Sequence, residues 1–270
     1  MEKKIPVMIN GLPGNMASLV EKSISQQSKF QVITDSLSGP GMNYMHKGIQ
    51  LHEPSHHEDI LQMICNHWKN LCLIDFTQPA AIEINVAMYC RYSIPFVTGT
   101  TGGDRKLLTK LVEESETPAV IAPNMSVPIV MLMDMIAYAA TNYPNALNDW
   151  EIRIVESHQS PKPDISGTAL AIGDLVRDLG VNYSSSHIRA IRDEVEQRLM
   201  GVPEFALSGH GWHKYSLISP DGNVMLGFEH NINGRDTYVN GTLMALNFLI
   251  KKVAEGIKGK CFSMKDVMRG

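Results

Sequence analysis

The stretch IPVMINGLPGNMASLVEKSI, Ile5 to Ile24, decides the fold class. Ile5 to Asn10 is a short apolar run that stops at a glycine, which predicts a buried strand. Gly11 to Asn15 forms a tight turn, and Met16, Leu19, Val20 and Ile24 then recur at helical spacing. A strand that passes into a helix through a Gly-x-x-Gly turn aims backbone N–H groups and the positive end of the helix dipole at one spot. In a doubly wound sheet that spot receives the pyrophosphate of a dinucleotide. The fit to G-x-G-x-x-G is partial. Pro13 replaces the second glycine and removes one N–H, and Ala17 falls near the third. A plain strand-to-helix turn therefore stays open.

The same rhythm continues downstream. Strands are expected at Phe30–Thr34, Leu71–Phe76, Ile94–Thr98 and Ala119–Ala122, with a short one at Gly48–Leu51. Helices are expected at Asp59–Trp68, at Pro79–Cys90 with a proline near its first turn, and at Asp104–Glu114. Short connections in a β-α alternation imply a Rossmann-like parallel sheet in an α/β chain. After Pro123 the texture changes. A Met-rich helix, Val127–Ala140, reads as packed core. Longer strands follow at Glu151–Val155, His187–Arg192, His213–Ser219 and Val224–His230, with a helix at Thr168–Leu179. This is a second, α+β domain. A last helix spans Asp236–Ala254 and stops at Gly256.

At 270 residues the chain can bury a large core, and its formal charge of −4 argues against a nucleic-acid or anionic-membrane surface. No apolar stretch nears the ~18 residues that span a bilayer. The opening MEKKIPVMING enters a strand almost at once, which reads as no signal or transit peptide. The four cysteines are scattered without CxxC pairing, as expected for a reducing compartment.

Two groups of residues carry chemistry. At the strand ends of the first half, Asp75-Phe76-Thr77-Gln78-Pro79 and Gly99-Thr100-Thr101-Gly102-Gly103 fall on the edge where an open α/β sheet binds its ligand. Asp35 lies at the distance expected for a ribose-binding acid, and Ser36 and Ser38 could instead accept a ribose phosphate, so the nucleotide stays undecided from this loop. In the second half, VESHQSPKPDISGT, Val155 to Thr168, gathers Glu156, His158 and Lys162 before a Ser-Gly-Thr turn that opens a helix. A proton donor beside backbone amides suits an enzyme that holds a small carboxylate and protonates it. If the strand runs on, alternation puts Glu156 on the face of His158, where it can orient the ring. Taken singly, each residue also reads as a surface histidine, a loop lysine and a helix cap. His52, His56 and His57 sit in a polar loop without a matching donor set, so no metal is expected. His210 and His213 read as a packed strand-end pair, with ligands or active-site neighbours as the alternative, and Arg235 as a brace of the two domains or of the oligomer.

In order, ING-x-x-G-x-M, DFT-x-P-x-A, GTTGG, APN-x-SV, E-x-H-x-x-x-K-x-D-x-SGTA and NGR resemble dihydrodipicolinate reductase, over about Val7 to Ile250. The ESHQ form, with RD, GVPE and GHGWHKYSL, resembles the plant-type branch most. The resemblance implies a dinucleotide-binding domain, 1–125 plus 236–270, and a substrate-binding and oligomerisation domain, 126–235. It implies cofactor contacts at Gly11, Pro13, Gly14, Asn15 and Met16, and around the nicotinamide at Phe76, Thr77, Gly99, Thr101, Ala122 and Asn124, with Asp35 and Ser36 kept as the candidates that spacing alone supplies. It places a proton donor at His158, a catalytic cation at Lys162, and a dicarboxylate anchor at Ser166, Gly167 and Thr168, with Gln159 where bacterial members carry a second histidine. Pro161 and Pro163 flank the lysine. The implied cofactor is NADPH, with NADH as the alternative, because Asn15 replaces an arginine of the bacterial loop. The implied partners are a small dicarboxylate and further copies of the chain in a homotetramer or homodimer. The implied location is cytoplasmic, or the plastid stroma for a processed plant protein. A reductase of another cyclic imine and a noncatalytic dinucleotide-binding protein remain the rival readings.

Overall fold

A computed structural model describes residues 4–160 and 162–270. They form two compact units, the first running to Val127 and joined by Tyr238–Gly270, the second Pro128–Thr237. The first unit contains β1 (Ile5–Asn10), α1 (Asn15–Ser25), β2 (Phe30–Val32), β3 (Asp35–Leu37), β4 (Met45–His46), β5 (Ile49–His52), α2 (His57–His67), β6 (Cys72–Asp75), α3 (Ile82–Arg91), β7 (Phe96–Thr98), α4 (Arg105–Glu113) and β8 (Ala119–Ile121). The chain then makes α5 (Val127–Asn142), β9 (Glu151–His158), α6 (Gly167–Arg177), β10 (Ile188–Ile191), α7 (Glu194–Leu199), β11 (His210–Ile218) and β12 (Met225–Asn233). It returns through α8 (Asp236–Ala254), β13 (Cys261–Phe262) and α9 (Met264–Arg269).

Six strands of the first unit pair in parallel in the order β13-β8-β7-β6-β1-β2. A parallel sheet is covered on both faces, which is why its strands read as unbroken apolar runs. Met8, Leu73, Phe96 and Tyr89 are fully buried between its layers. The expected Phe30–Thr34 strand is shorter, because the chain leaves the main sheet after Val32. It then pairs β3 and β4 with β5 in a separate three-stranded sheet. The helix expected from Pro79 begins instead at Ile82. Pro79 occupies the second position of a turn closed by Ala81 N–H donating to Gln78 O at 2.9 Å, the place that proline's fixed φ favours. Asp104 caps α4 by accepting from the N–H groups of Lys106 and Leu107.

The second unit is a sheet ordered β10-β9-β11-β12. β9 pairs parallel with β10 and antiparallel with β11, and β11 antiparallel with β12. Ile152, Ile154, Ala169, Ile172, Val176, Tyr215 and Leu217 form its core. The Met-rich helix expected to be packed core contributes to it on one face. α5 buries Ile129, Val130 and Ala140 but exposes Met131, Met135 and Tyr138, because it covers apolar surface on one side only. All four cysteines are free. Among the described residues no helix is long and apolar enough to cross a membrane.

Candidate active site

Parallel pairing puts the C-terminal ends of β1, β6 and β7 on one edge of the first unit, and a cleft of about 650 Å³ opens there. Gly11, Pro13, Gly14, Phe76 and Thr77 line it with Ser38, His57 and Glu58. The glycines are required by close approach. Gly11 has φ of +99° and a Cβ there would stand 2.3 Å from Phe76 O, while a Cβ on Gly99 would stand 2.3 Å from the Phe76 ring. Asn15 and Met16 begin α1, whose N-cap, Gly14, offers no side-chain acceptor, so its first-turn amides are left for a ligand.

Beneath this edge a buried network fixes the loops. The fully buried Asp75 accepts from Thr77 N–H (2.9 Å) and Oγ1 (2.7 Å), Thr100 Oγ1 (2.8 Å), Tyr89 Oη (2.6 Å) and Asn85 Nδ2 (3.2 Å). Burial, then the adjacent Asp75 carboxylate, pushes the Tyr89 phenol well up, so it stays a donor. Asn10 Nδ2 donates to Tyr89 Oη at 3.0 Å and Asn10 Oδ1 accepts from Leu37 N–H, tying β1, β3 and β6 together. The sequence placed Asp75 in the same segment as Thr77 but gave no sign that it is the buried acceptor that holds it.

Asp35 and Ser36 are placed differently. Asp35 Oδ1 meets His52 Nε2 at 2.8 Å, and the buried Ser36 hydroxyl turns to Leu37 O at 3.5 Å; neither lines the cleft. Gly99 and Thr101 follow β7, and Ala122 and Asn124 follow β8, all on the same sheet edge. Asn124 Oδ1 accepts from Ser126 N–H.

In the second unit β9 continues to His158, so Glu156 and His158 share one face of the strand. The β11 register sets His213 opposite Glu156 and Gly211 opposite His158. Glu156 is fully buried. Its Oε1 accepts from Arg192 Nη2 at 2.6 Å and its Oε2 from Ser166 N–H at 2.9 Å, with His158 Nε2 and His213 Nε2 at 3.5 and 3.6 Å. Burial alone would raise its pKa, but the approach of His213, Arg192 and the Ser166 amide together hold it at about 2. His158 Nδ1–H donates to His210 O at 3.1 Å, which leaves Nε2 as the atom that can present a proton. Burial first, then the neighbouring His213, lowers the His158 pKa to about 4, and Glu156 only partly opposes them. Its neutral form is thus favoured more strongly than in a free imidazole.

Arg192 is the residue that sequence reasoning missed, its only signal being the RD that follows β10. Its Nε donates to Lys162 O at 2.9 Å and its Nη2 to Asp164 O at 3.0 Å, so one guanidinium ties Glu156 to the loop before α6. Lys162 Nζ donates to Asp164 O at 2.5 Å within that loop, and Gln159 O accepts from Lys162 N–H. Pro161 lies outside the described residues. Gln197, on the unforeseen α7, is buried and donates to His158 O at 2.7 Å. Ser166 is the N-cap of α6, but its side chain makes no cap hydrogen bond; Gly167 and Thr168 begin the helix. Glu156, His158 and Ser166 are thus brought together.

A family model of the dihydrodipicolinate reductase N-terminus matches residues 5–125, and one of its C-terminus matches residues 128–268. The chain is 37% identical over 270 residues to a probable 4-hydroxy-tetrahydrodipicolinate reductase 1, chloroplastic, of Oryza sativa subsp. japonica, covering 98% of this chain and 78% of that protein. It is 36% identical over 271 residues to 4-hydroxy-tetrahydrodipicolinate reductase 2, chloroplastic, of Arabidopsis thaliana, covering 98% and 77%. Among solved structures it resembles the dipicolinate-bound dihydrodipicolinate reductase of Paenisporosarcina sp. TG-14 in fold, with a TM-score of 0.66 at 16% identity, covering 97% and 98% of the two chains.

Proposed function

The chain belongs to the dihydrodipicolinate reductase family and is an oxidoreductase, and on that premise we propose that it reduces 4-hydroxy-tetrahydrodipicolinate to tetrahydrodipicolinate with NAD(P)H, in the diaminopimelate route to lysine. The observation that carries this reading is the pairing of the buried Glu156 with the partly exposed His158 beside the Ser166–Thr168 helix start.

The residues at the first unit's sheet edge fit a nicotinamide dinucleotide. Gly11 and Gly14 let the backbone approach a pyrophosphate, the first-turn amides of α1 face it, and Phe76 and Thr77 line the same cleft. Bound there, NAD(P)H supplies a hydride. In the second unit, Ser166, Gly167 and Thr168 offer hydroxyls and helix-start amides to the substrate carboxylates, with Lys162 as a further cation. Once the 4-hydroxyl has left as water, hydride addition to the resulting conjugated imine gives an enamine that takes up one proton, and His158 Nε2 delivers it. A dianion bound beside the imidazole favours its charged form, so the proton donor is charged by substrate binding. Glu156, kept ionised by Arg192, steadies that imidazolium. We further propose a homo-oligomer built on β12, an edge strand whose flank exposes Val224, Met225 and Leu226.

The test follows NADH and NADPH absorbance with enzymatically generated substrate. His158→Ala is expected to lower kcat by roughly 100- to 10,000-fold. Near-wild-type turnover of that variant at saturation would remove His158 as the donor, and no oxidation of either nucleotide by the wild type would overturn the reaction. Sedimentation of wild type against Leu226→Glu reads the interface.

A further inference from the structure

We propose that Glu156, His158 and His213 form a binding site for a divalent transition-metal ion, zinc above all, whose occupancy silences the enzyme. The site follows from sheet geometry. Glu156 and His158 are two residues apart on β9, and the antiparallel register sets His213 directly across from Glu156, so three donors converge on one face. Their ligand atoms all lie within 4.8 Å of one another. A tetrahedral ion with bonds of about 2.0–2.2 Å separates its ligand atoms by roughly 3.3–3.5 Å. The two spacings to Glu156 Oε2, 3.5 and 3.6 Å, are already at that length. Only the two imidazoles need to close.

The ring nitrogens are available. His158 Nδ1 is engaged with His210 O, the backbone partner that fixes the tautomer of many metal-ligating histidines, and its Nε2 has no hydrogen-bond partner. Neither nitrogen of His213 has one, although that side chain is 3% exposed. Buried nitrogens without partners are rare and call for a reason. Glu156 Oε2 spends one lone pair on the Ser166 amide and keeps another. Arg192 on Oε1 opposes a second cation, which makes the site weaker than a closed structural one. The other histidine group is committed elsewhere: His52 to Asp35, and His57 to the carbonyls of Ser38 and His52. The partly exposed His158 is the route by which an ion enters.

Metal binding rests on this geometry alone, whereas silencing also rests on the proposed role of His158 Nε2, whose lone pair the ion takes. Cobalt chloride titrated into chelator-treated full-length protein tests the first. The expected result is one equivalent bound with the intense visible bands of tetrahedral cobalt, no thiolate charge-transfer band, and displacement by zinc. His213→Gln should abolish the bands and weaken binding on the order of 100-fold. His158→Gln, read the same way, covers a failure of the first variant to fold. No saturable binding, a thiolate band, or unchanged affinity in both variants would overturn the site. Zinc should then inhibit wild-type turnover and EDTA restore it. One equivalent bound at this site with turnover undiminished would overturn the silencing and count against His158 as the donor.

Discussion

Arg192 bonds at once to a buried carboxylate and to two carbonyls of the loop before α6. Removing one partner of such a pair leaves a buried charge uncompensated, at about 3–5 kcal/mol. Arg192→Gln should therefore lower unfolding stability by about that much. Arg192→Lys keeps the charge but loses the planar fork that reaches four acceptors, the fourth being Ile191 O. It should retain most of the stability while raising the KM for substrate more than it lowers kcat, because the Lys162 loop is released. Steady-state kinetics with denaturant melts separate the two effects, and an unchanged KM in Arg192→Lys would show that the loop bonds do not position substrate. The cleft of the first unit supports a second expectation at this scale. Among the described residues its lining includes Glu58 and neither lysine nor arginine, so none of them offers a 2′-phosphate a cation there. NADH should serve at least as well as NADPH by kcat/KM. A tenfold or larger preference for NADPH would show that a cation from outside this lining binds the phosphate.

Among the elements, α6 and α8 use glycine for opposite reasons. A Cβ on Gly241 of α8 would lie 1.6 Å from Met125 O, so the helix packs against the 122–126 segment only without a side chain there. Gly241→Ala should cost at least the 1–3 kcal/mol typical of overpacking, read as a lowered Tm. A Cβ on Gly167, at the start of α6, meets nothing within 4 Å and needs no unusual φ. Gly167→Ala should leave stability unchanged or slightly raised, since it only restricts the unfolded chain. If this helix start anchors a carboxylate, the same variant should raise the substrate KM; an unchanged KM would remove Gly167 from the anchor. The βα rhythm was legible because each strand is a short buried run and each helix has a periodic face. The path from Thr34 to His46 was not, because strands of two or three residues leave no period to read, although the short strand expected at Gly48–Leu51 is found as β5. Glu156 and His158 were legible as a pair, since alternation along one strand is local. His213, Arg192 and Gln197 reach the pair through β11, β10 and α7, and nothing local in the sequence states a register between strands 50 residues apart in the chain.

Across the whole molecule, burial leaves several histidines neutral in the folded state, which makes the fold sensitive to acid. His57 in the first unit and His210 in the second are lowered from the usual value chiefly by burial. His158 falls to about 4 and His230 to about 3, each by burial and then by the neighbouring His213. Unfolded, these imidazoles bind a proton near pH 6.5; folded, they do not until the pH is lower. Their contribution is therefore fully present above about pH 6.5 and is lost as the pH falls toward the folded values. Glu156 has the same sign lower down, between its unfolded value and about 2. Each fully depressed histidine contributes a slope of about 1.4 kcal/mol per pH unit, reduced where solvent reaches His158 and His230. Unfolding free energies from urea melts should be flat from pH 8 to 7 and then fall, by on the order of 2–4 kcal/mol at pH 5, with the midpoints falling in parallel. The second unit holds three of these four histidines, so hydrogen exchange at pH 5 should accelerate first within Pro128–Thr237. Equal acceleration in both units, or a midpoint constant down to pH 5, would mean that the imidazoles are protonated without unfolding and that His158 and His230 accept charge in the folded state.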